Sequence, residues 1–321
     1  MKFCLGSLFL AVAFGFNAAA TGIMVPAYFY PGALWTSMSN AATRVPLVAI
    51  MNPNNGPDTS QNPDYVAAVN SVRSAGGKVI GYVYTSYGAR ATNIVQTDID
   101  SYFTFYSVDG IFLDEMTDDA DTNHLNSYAA LYQYVKSKGT NLTVVGNPGI
   151  NTLEEYLTRP TADVLVTFEV NTGYGSYVPD AWVTNHLAQH FCHLPYNVTN
   201  ATTMTNYVNL AVSRNAGWIY VTNDKGANPW DTLPSYWTNE VEFVRSLNQA
   251  VPTQLTLTAF SNFVPTMTIV GATGTYEVQA TTNNFLSNWF SVGTVSASEG
   301  TAIFSDTNAI NSTSRFYRTV Q

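Results

Sequence analysis

The chain has 321 residues, of which 11% are charged and 13% aromatic, and its 13 Lys and Arg against 22 Asp and Glu give a net charge of −9. This acidic balance argues against nucleic acid and anionic membrane surfaces as partners, and favours a neutral or cationic ligand. The length is sufficient for one large domain and a small one.

Residues 1–20 are predicted to form a secretory signal peptide. Lys2 precedes an apolar segment from Cys4 to Phe16, and Ala18-Ala19-Ala20 is a small-residue cleavage site. The apolar part is too short to span a membrane. We therefore expect a secreted protein, extracellular or, in a bacterium, periplasmic or on the cell surface. Removal of the segment leaves Cys192 alone, which excludes an intramolecular disulfide.

From Ile23 to Asn248, short apolar runs alternate with helix-patterned segments, which is the signature of repeated βα units. The strand candidates are Ile23–Tyr30, Val45–Met51, Lys78–Tyr84, Gly110–Glu115, Leu142–Gly146, Val164–Val170, Gln189–Leu194 and Trp218–Asn223. Eight such units predict an α/β fold, a TIM-type (β/α)8 barrel over residues 21–250, whose site is built by the loops after the strands. A doubly wound open sheet is the alternative, but no glycine-rich dinucleotide loop supports it.

The segments between the strands carry helix signals. Pro63 stands at a helix start and Gly76-Gly77 at its end, with apolar residues between them at helical spacing. Similar spacing follows Leu125, Met204 and Trp237. These patterns predict helices that cover the outside of the barrel.

After Val251-Pro252 the composition changes to short, Thr-rich strands broken by Gly, Asn and Pro. The strand candidates are Leu255–Phe260, Thr266–Val270, Thr275–Thr281, Trp289–Val295, Thr301–Phe304 and Phe316–Val320. This pattern predicts a small β-sandwich over residues 251–321. Tyr276, Trp289 and Phe290 are expected in its core, since buried aromatics are more common than exposed platforms.

Two of the predicted barrel strands end in acids. Asp114 and Glu115 follow one apolar run, and Glu169 follows another. Acids at the strand ends of a TIM-type barrel are usually catalytic, and acids from two strands could flank one glycosidic bond. Adjacent strand residues face opposite ways, so one of Asp114 and Glu115 is expected to react and the other to support it. The competing interpretation is that all three are solvated and structural.

Aromatic, amide and charged residues gather at the same predicted strand ends. They are Tyr28, Tyr30, Asn52, Tyr84, Tyr87, Arg90, Asn147, Thr222, Asp224 and Trp230. Sugars present apolar ring faces to aromatic rings and hydroxyl groups to amides and carboxylates. We therefore predict these residues as substrate-binding, although any single Tyr could instead serve packing.

Two other constellations suggest metal ligands less strongly. His186, His190 and His193 have a spacing that a helix could use, but Leu194-Pro195 interrupts the segment and no His-Glu-x-x-His motif is present. The acidic run at 118–121 lacks the rest of an EF-hand loop, and a solvated helix start explains it better. We expect neither a metal nor another cofactor.

Five segments, in order along the chain, resemble the spherulin 4 family. They are Val25–Pro31, Asn52–Pro57, Gly81–Gly88, Gly110–Glu115 and Tyr220–Asp224. This family contains fungal glycoside hydrolases of family 135 that act on galactosaminogalactan. The resemblance, which runs from Ile23 to about Asn248, implies a TIM-type barrel and endo-acting hydrolysis of α-1,4-linked N-acetylgalactosamine or galactosamine. It places the acidic pair of the family on Asp114 and Glu115 and the later catalytic Glu on Glu169.

The resulting hypothesis is a secreted, monomeric, retaining glycoside hydrolase whose partner is a polysaccharide. Asp114 would be the nucleophile, Glu169 the general acid/base and Glu115 a supporting acid. The alternative is a catalytically silent carbohydrate-binding or extracellular matrix protein on the same barrel. For the C-terminal sandwich, a stabilising appendage and a polymer anchor both stay open.

Overall fold

A computed structural model describes residues 20–248, 254–261, 264–271, 274–283, 288–297, 301–311 and 315–320. The larger of two compact units is Ala19–Asn248, and the smaller contains the strands after Gln249. Apart from Ala20, the predicted signal peptide lies outside the described residues.

The larger unit is a closed barrel of eight parallel strands. They are β1 (Gly22–Ala27), β2 (Leu47–Met51), β3 (Lys78–Tyr84), β4 (Gly110–Asp114), β5 (Thr143–Gly146), β6 (Val164–Phe168), β7 (Phe191–His193) and β8 (Trp218–Ile219). Each strand pairs with the next one along the chain, and β8 closes on β1 with Gly22 opposite Trp218. The predicted TIM-type barrel is confirmed.

Several strands end earlier than their apolar runs. The chain leaves β1 after Ala27, because the Tyr28 N–H donates to the Trp230 carbonyl and not to a neighbouring strand. In the last unit, the Val221 N–H donates to the Glu240 carboxyl, so β8 stops at Ile219. An apolar run therefore marks what is buried, while the hydrogen-bond partners decide where the strand ends.

Helices cover the barrel as the spacing predicted. They are α1 (Ala33–Ala42), α2 (Pro63–Ser74), α3 (Thr92–Phe105), α4 (Thr122–Lys138), α5 (Glu155–Thr158), α6 (Ala201–Ser213) and α7 (Trp237–Asn248). Asn62 caps α2 through the Asp64 N–H, with Pro63 in the first turn, and Asp121 caps α4 through the Asn123 N–H. The β6–β7 connection carries three short 3-10 helices.

The smaller unit is a sandwich of two antiparallel sheets. Its strands are β9 (Gln254–Ser261), β10 (Val264–Val270), β11 (Gly274–Thr281), β12 (Phe290–Ala297), β13 (Thr301–Ser305) and β14 (Phe316–Val320). One sheet has the order β13-β10-β9 and the other β12-β11-β14. Residues of all six strands share one core, including Met267, Ile269 and Tyr276.

The aromatic residues predicted for this core divide. Tyr276 is fully buried, and Trp289 is partly buried with the Arg318 guanidinium 4.5 Å from its ring centre. The prediction for Phe290 was wrong, because its side chain is 43% exposed. Phe290 opens β12, which lies at the edge of its sheet in the described residues, and the Arg315 guanidinium lies 5.5 Å from its ring centre.

Candidate active site

Two carboxyl groups meet at the carboxyl ends of the barrel strands, around one amide. Asp114 ends β4, Glu169 follows β6, and Asn147 follows β5 between them. The Asn147 Nδ2 donates to Asp114 Oδ1 at 2.7 Å and to Glu169 Oε2 at 2.5 Å. The distance between the two accepting oxygens therefore cannot exceed the sum of these two hydrogen-bond lengths. We call the space around these three side chains the cleft.

The Asp114 carboxyl is half-buried and accepts hydrogen bonds from three neutral donors. Besides Asn147, the Tyr82 Oη donates to its Oδ2 at 2.7 Å, and the backbone N–H of Glu115 also donates to the carboxyl. Burial raises the pKa of Asp114, and the three donors oppose that rise because each stabilises the anion. This environment suits a carboxylate that acts as a nucleophile.

The Glu169 carboxyl has two described donors and lies next to the negative charge of Asp114. Burial and the negative charge of Asp114 raise its pKa to about 8, while hydrogen bonds from Asn147 and the Trp230 indole N–H act in the opposite direction. Glu169 therefore keeps its proton at neutral pH. Two carboxyls whose surroundings separate their pKa values are the arrangement that an acid and a nucleophile need.

The strand ends between the two adjacent acids of β4. Glu115 adopts a left-handed conformation with φ 51°, which is costly for a residue with a Cβ. Its negative charge contributes to the raised pKa of both Tyr82 and Tyr87. No described residue donates a hydrogen bond to that carboxylate. Glu115 thus supports Asp114 through its backbone N–H and carries a half-buried carboxylate whose charge acts on Tyr82 and Tyr87.

Tyr82 is a site residue that the sequence analysis missed. Its ring is 5% exposed and stacks on Phe112 at 6.2 Å between ring centres, below the hydroxyl that holds Asp114. The signal was the strand period: Tyr82 lies two residues before Tyr84, on the same strand face. The sequence predicted site residues only at strand ends, whereas Tyr82 lies within β3 and reaches the cleft from there.

Tyr28 and Tyr87 lie beside the acids. The Tyr28 ring contacts the Tyr82 ring edge-on at 5.3 Å, and burial together with the charges of Asp114 and Glu169 raises the pKa of Tyr28. Tyr87 is 64% exposed, and slight burial and the charges of all three acids raise its pKa. Its ring is an accessible aromatic surface next to the carboxyls.

The loop that carries Tyr87 has an unusual backbone. Ser86, Tyr87 and Gly88 have φ angles of 48°, 52° and 79°, and the Tyr87 N–H donates to the Glu115 carbonyl at 2.7 Å. A Cβ at Gly88 would lie 2.7 Å from His124 Cδ2, so glycine is required there. Backbone strain of this kind is concentrated at functional sites.

Trp230 reaches the cleft through its indole N–H. The side chain is 5% exposed and packs against Tyr196 and Tyr220, with ring centres 5.5 and 6.1 Å away. The indole therefore holds the Glu169 carboxyl and does not present an open face to a sugar ring.

The remaining predicted substrate-binding residues contact other groups. The Tyr30 hydroxyl donates to Asp64, and Asn52 Oδ1 accepts the Gly56 N–H within its own loop. Arg90 stacks on Tyr84 at 4.0 Å and pairs with Asp98 at 2.6 Å. Thr222 is fully buried, and its hydroxyl accepts the Asp224 N–H. The structure gives none of these side chains a contact with Asp114 or Glu169.

The three histidines have separate partners. His186 bonds to Glu154, and His190 to the Asp163 carbonyl. His193 lies between Tyr174 and Thr167, and burial lowers its pKa to about 3. Among the described residues, no three His, Cys, Asp or Glu side chains form a group suited to a metal, and no helix is long and apolar enough to cross a membrane.

Comparisons with known proteins relate this chain to one family. The model of Spherulin4, the spherulation-specific family 4, matches residues 22–244. Spherulin-4 of Physarum polycephalum is 37% identical over 240 residues, which are 70% of this chain and 70% of that protein.

Two solved structures share the barrel. Aspergillus clavatus Sph3 in complex with GalNAc has a TM-score of 0.60 at 22% identity, over 70% of this chain and 98% of that one. Alpha-L-fucosidase isoenzyme 2 from Paenibacillus thiaminolyticus has a TM-score of 0.52 at 11% identity, over 72% of this chain and 49% of that one. At these identities the likeness concerns the fold alone.

Proposed function

Because this chain belongs to the Spherulin4 family, as its motifs predicted, we propose that it is a secreted glycoside hydrolase that cleaves an amino-sugar polysaccharide with retention. The observation that carries the proposal is the Asn147 amide that joins Asp114 to Glu169. Retaining hydrolysis needs two carboxyls about 5–5.5 Å apart, whereas inverting hydrolysis needs about 6.5–9.5 Å. The short bridge supports the retaining geometry.

In the first step, the Asp114 carboxylate attacks the anomeric carbon while Glu169 gives its proton to the leaving glycosidic oxygen. The bond from the anomeric carbon to that oxygen breaks, and an ester forms between the sugar and Asp114. The pKa of Glu169, about 8, keeps the required proton in place at neutral pH.

In the second step, the Glu169 carboxylate takes a proton from water, and the resulting hydroxide oxygen attacks the same carbon. The ester bond to Asp114 breaks, which restores both carboxyls to their starting states. Two displacements on one carbon leave its configuration unchanged.

The substrate we propose is a polymer of α-1,4-linked N-acetylgalactosamine or galactosamine, cut within the chain. One support is the GalNAc bound to Aspergillus clavatus Sph3, which shares this barrel. Another is the surroundings of the acids: Tyr87 presents an accessible ring, and Glu115 is an acid without a described donor. Aromatic faces suit sugar rings, and acids suit hydroxyl or ammonium groups.

The test is to incubate the mature chain with acetylated and with partly deacetylated galactosaminogalactan and to measure new reducing ends. NMR of the first product then reports its anomeric configuration. We expect an α-configured product from at least one polymer and none from an Asp114→Asn, Glu169→Gln double variant. An early β-configured product would contradict retention. Binding of the polymer without any new ends would instead support the carbohydrate-binding alternative.

A further inference from the structure

Asn147 is the one described side chain that donates to both carboxyls of the cleft. The other donors act on one carboxyl each, since Tyr82 bonds to Asp114 and Trp230 bonds to Glu169. We infer that Asn147 is a positioning residue, and not the substrate-binding residue predicted from its place at a strand end. This inference rests on the proposed function, because it assigns Asn147 the task of holding nucleophile and acid/base together.

The backbone of Asn147 is fixed on both sides. Its N–H donates to the Leu113 carbonyl at 2.9 Å, and its carbonyl accepts the Met116 N–H at 3.0 Å. These bonds continue the β4–β5 pairing past the end of β5. The amide is therefore attached to the same strand that carries Asp114, so its position relative to the nucleophile is set by sheet geometry.

The side chain has no donor left for a sugar. Asn147 is 6% exposed, and the N–H groups of its single nitrogen point to two carboxyl oxygens. Its Oδ1 is buried and has no partner among the described residues. In the flipped orientation, the carbonyl oxygen would face both carboxyls and the NH2 group would lie without acceptors, so the observed orientation is the favourable one.

The ionisable groups around the two carboxyls are mostly acids and phenols. Those acting on or near Asp114 are Glu115, Tyr28, Tyr82, Tyr87 and Glu169. Those near Glu169 are Asp114, Tyr28, Tyr82, Tyr87 and Cys192. None of these groups carries a positive charge, so neutral donors alone stabilise the ionised form of each carboxyl. Removal of a donor should therefore raise the pKa of the carboxyl to which it donates.

The three donors are expected to affect different limbs of the pH–rate profile. The acidic limb of kcat/KM follows ionisation of the nucleophile, and the basic limb follows loss of the acid's proton. In Tyr82→Phe, only Asp114 loses a donor, so only the acidic limb should move to higher pH. In Trp230→Phe, only Glu169 loses one, so only the basic limb should move. In Asn147→Leu, both limbs should move upward together.

The experiment measures kcat/KM against pH for these three variants and the wild type on the polymer that the wild type cleaves. A hydrogen bond to a charged group is strong enough to shift each affected limb by about one pH unit. A profile of Asn147→Leu with unmoved limbs and only a lower plateau would show a packing role and overturn the inference. A wild type without activity would reject the proposed function instead, which keeps the two failures distinct.

A second measurement covers the case in which Asn147→Leu does not fold. In the 15N-labelled wild type, the two side-chain amide protons of Asn147 should respond to two titrations, one from Asp114 and one from Glu169. Tyr82→Phe should shift only the first of these. Amide signals that follow a single titration, or none, would contradict the bridge even in the absence of activity.

Discussion

Both regions of the molecule contain carboxyl groups that are partly or fully buried, but they stabilise them differently. In the C-terminal sandwich, Asp306 is 2% exposed, pairs with Arg315 at 2.5 Å and accepts a hydrogen bond from the Tyr317 hydroxyl at 2.9 Å. In the barrel, Asp114 and Glu169 accept hydrogen bonds from uncharged groups, and no described Lys or Arg forms an ion pair with either.

This difference separates a structural acid from a reacting pair. A guanidinium in contact with a carboxylate compensates its charge and fixes its position, which suits a residue that only has to hold two segments together. Neutral donors permit both protonation states, and a general acid/base has to pass through both in each turnover. The partners of a buried acid are therefore more informative than its burial.

The largest expected effect is that of Asp114→Asn. The variant should lose more than about 10⁴-fold in kcat/KM, beyond the usual range for a lost general acid, because no neighbouring group replaces the nucleophile. Its stability should stay within about 1 kcal/mol of the wild type, since a partly desolvated charge is removed, the remaining oxygen accepts from Asn147, and the new NH2 group can donate to the Tyr82 hydroxyl. Reducing-end assays and urea unfolding measure the two quantities. Wild-type turnover in this variant, together with an inactive Glu115→Gln, would reverse the roles of the adjacent acids.

Glu169→Gln should have the next largest effect. On the polymer, loss of the proton donor should lower kcat/KM by about 10²–10⁴-fold. On an aryl glycoside with an acidic leaving group, the loss in the glycosylation step should be much smaller, because that group departs without a proton. Equal losses on both substrates would show that Glu169 does not act as the acid.

In the sandwich, Asp306→Asn should lower stability and not chemistry. Removal of one partner of a buried ion pair costs about 3–5 kcal/mol, because the guanidinium loses the carboxylate that it contacts. Hydrogen exchange of peptides from residues 254–320, measured on the full chain, should report this loss. Tyr317→Phe is the matched control, since it removes one hydrogen bond worth about 1 kcal/mol. Similar losses in the two variants would show that the charge of Asp306 is unimportant.

The sequence was sufficient to predict the fold and to predict that Asp114 and Glu169 lie at the ends of barrel strands. Eight apolar runs and the helix spacing between them predicted the barrel, and Asp114 and Glu169 stood out because they end such runs. The role of Asn147 could not be predicted, since an amide at a strand end has the same sequence signal whether it faces a sugar or two carboxyls. Which groups it faces depends on β4 and β6, far away in the chain.

A fully buried acid of the barrel, Glu240, was not predicted from the sequence for a different reason. Glu240 lies on α7, three residues after Trp237 and four before Val244, and therefore in the buried stripe of that helix. Because glutamate is polar, the sequence analysis did not assign Glu240 to the buried face of this helix. In the structure it is fully buried, its Oε1 accepts the Val221 N–H at 2.8 Å, and its Oε2 has no partner among the described residues.

A variant of Glu240 can test whether every acid without a cationic partner takes part in the reaction. We expect that it does not, because Glu240 lies outside the cleft. Burial raises the pKa of Glu240 to about 8 from an ordinary value of 4.5. The folded state therefore holds a proton that the unfolded state releases, so the contribution of Glu240 to stability is greatest below pH 4.5 and is lost as the pH rises towards 8. Glu240→Gln keeps the acceptor for Val221 but cannot ionise. It should remove a pH-dependent loss of unfolding free energy on the order of 3 kcal/mol, measured by urea unfolding at pH 5 and pH 8.

Hydrolysis should be unchanged, because Glu240 touches neither carboxyl of the cleft. An unaltered pH dependence of stability would mean that Glu240 is already ionised in the folded protein, with a charged partner or water beside it.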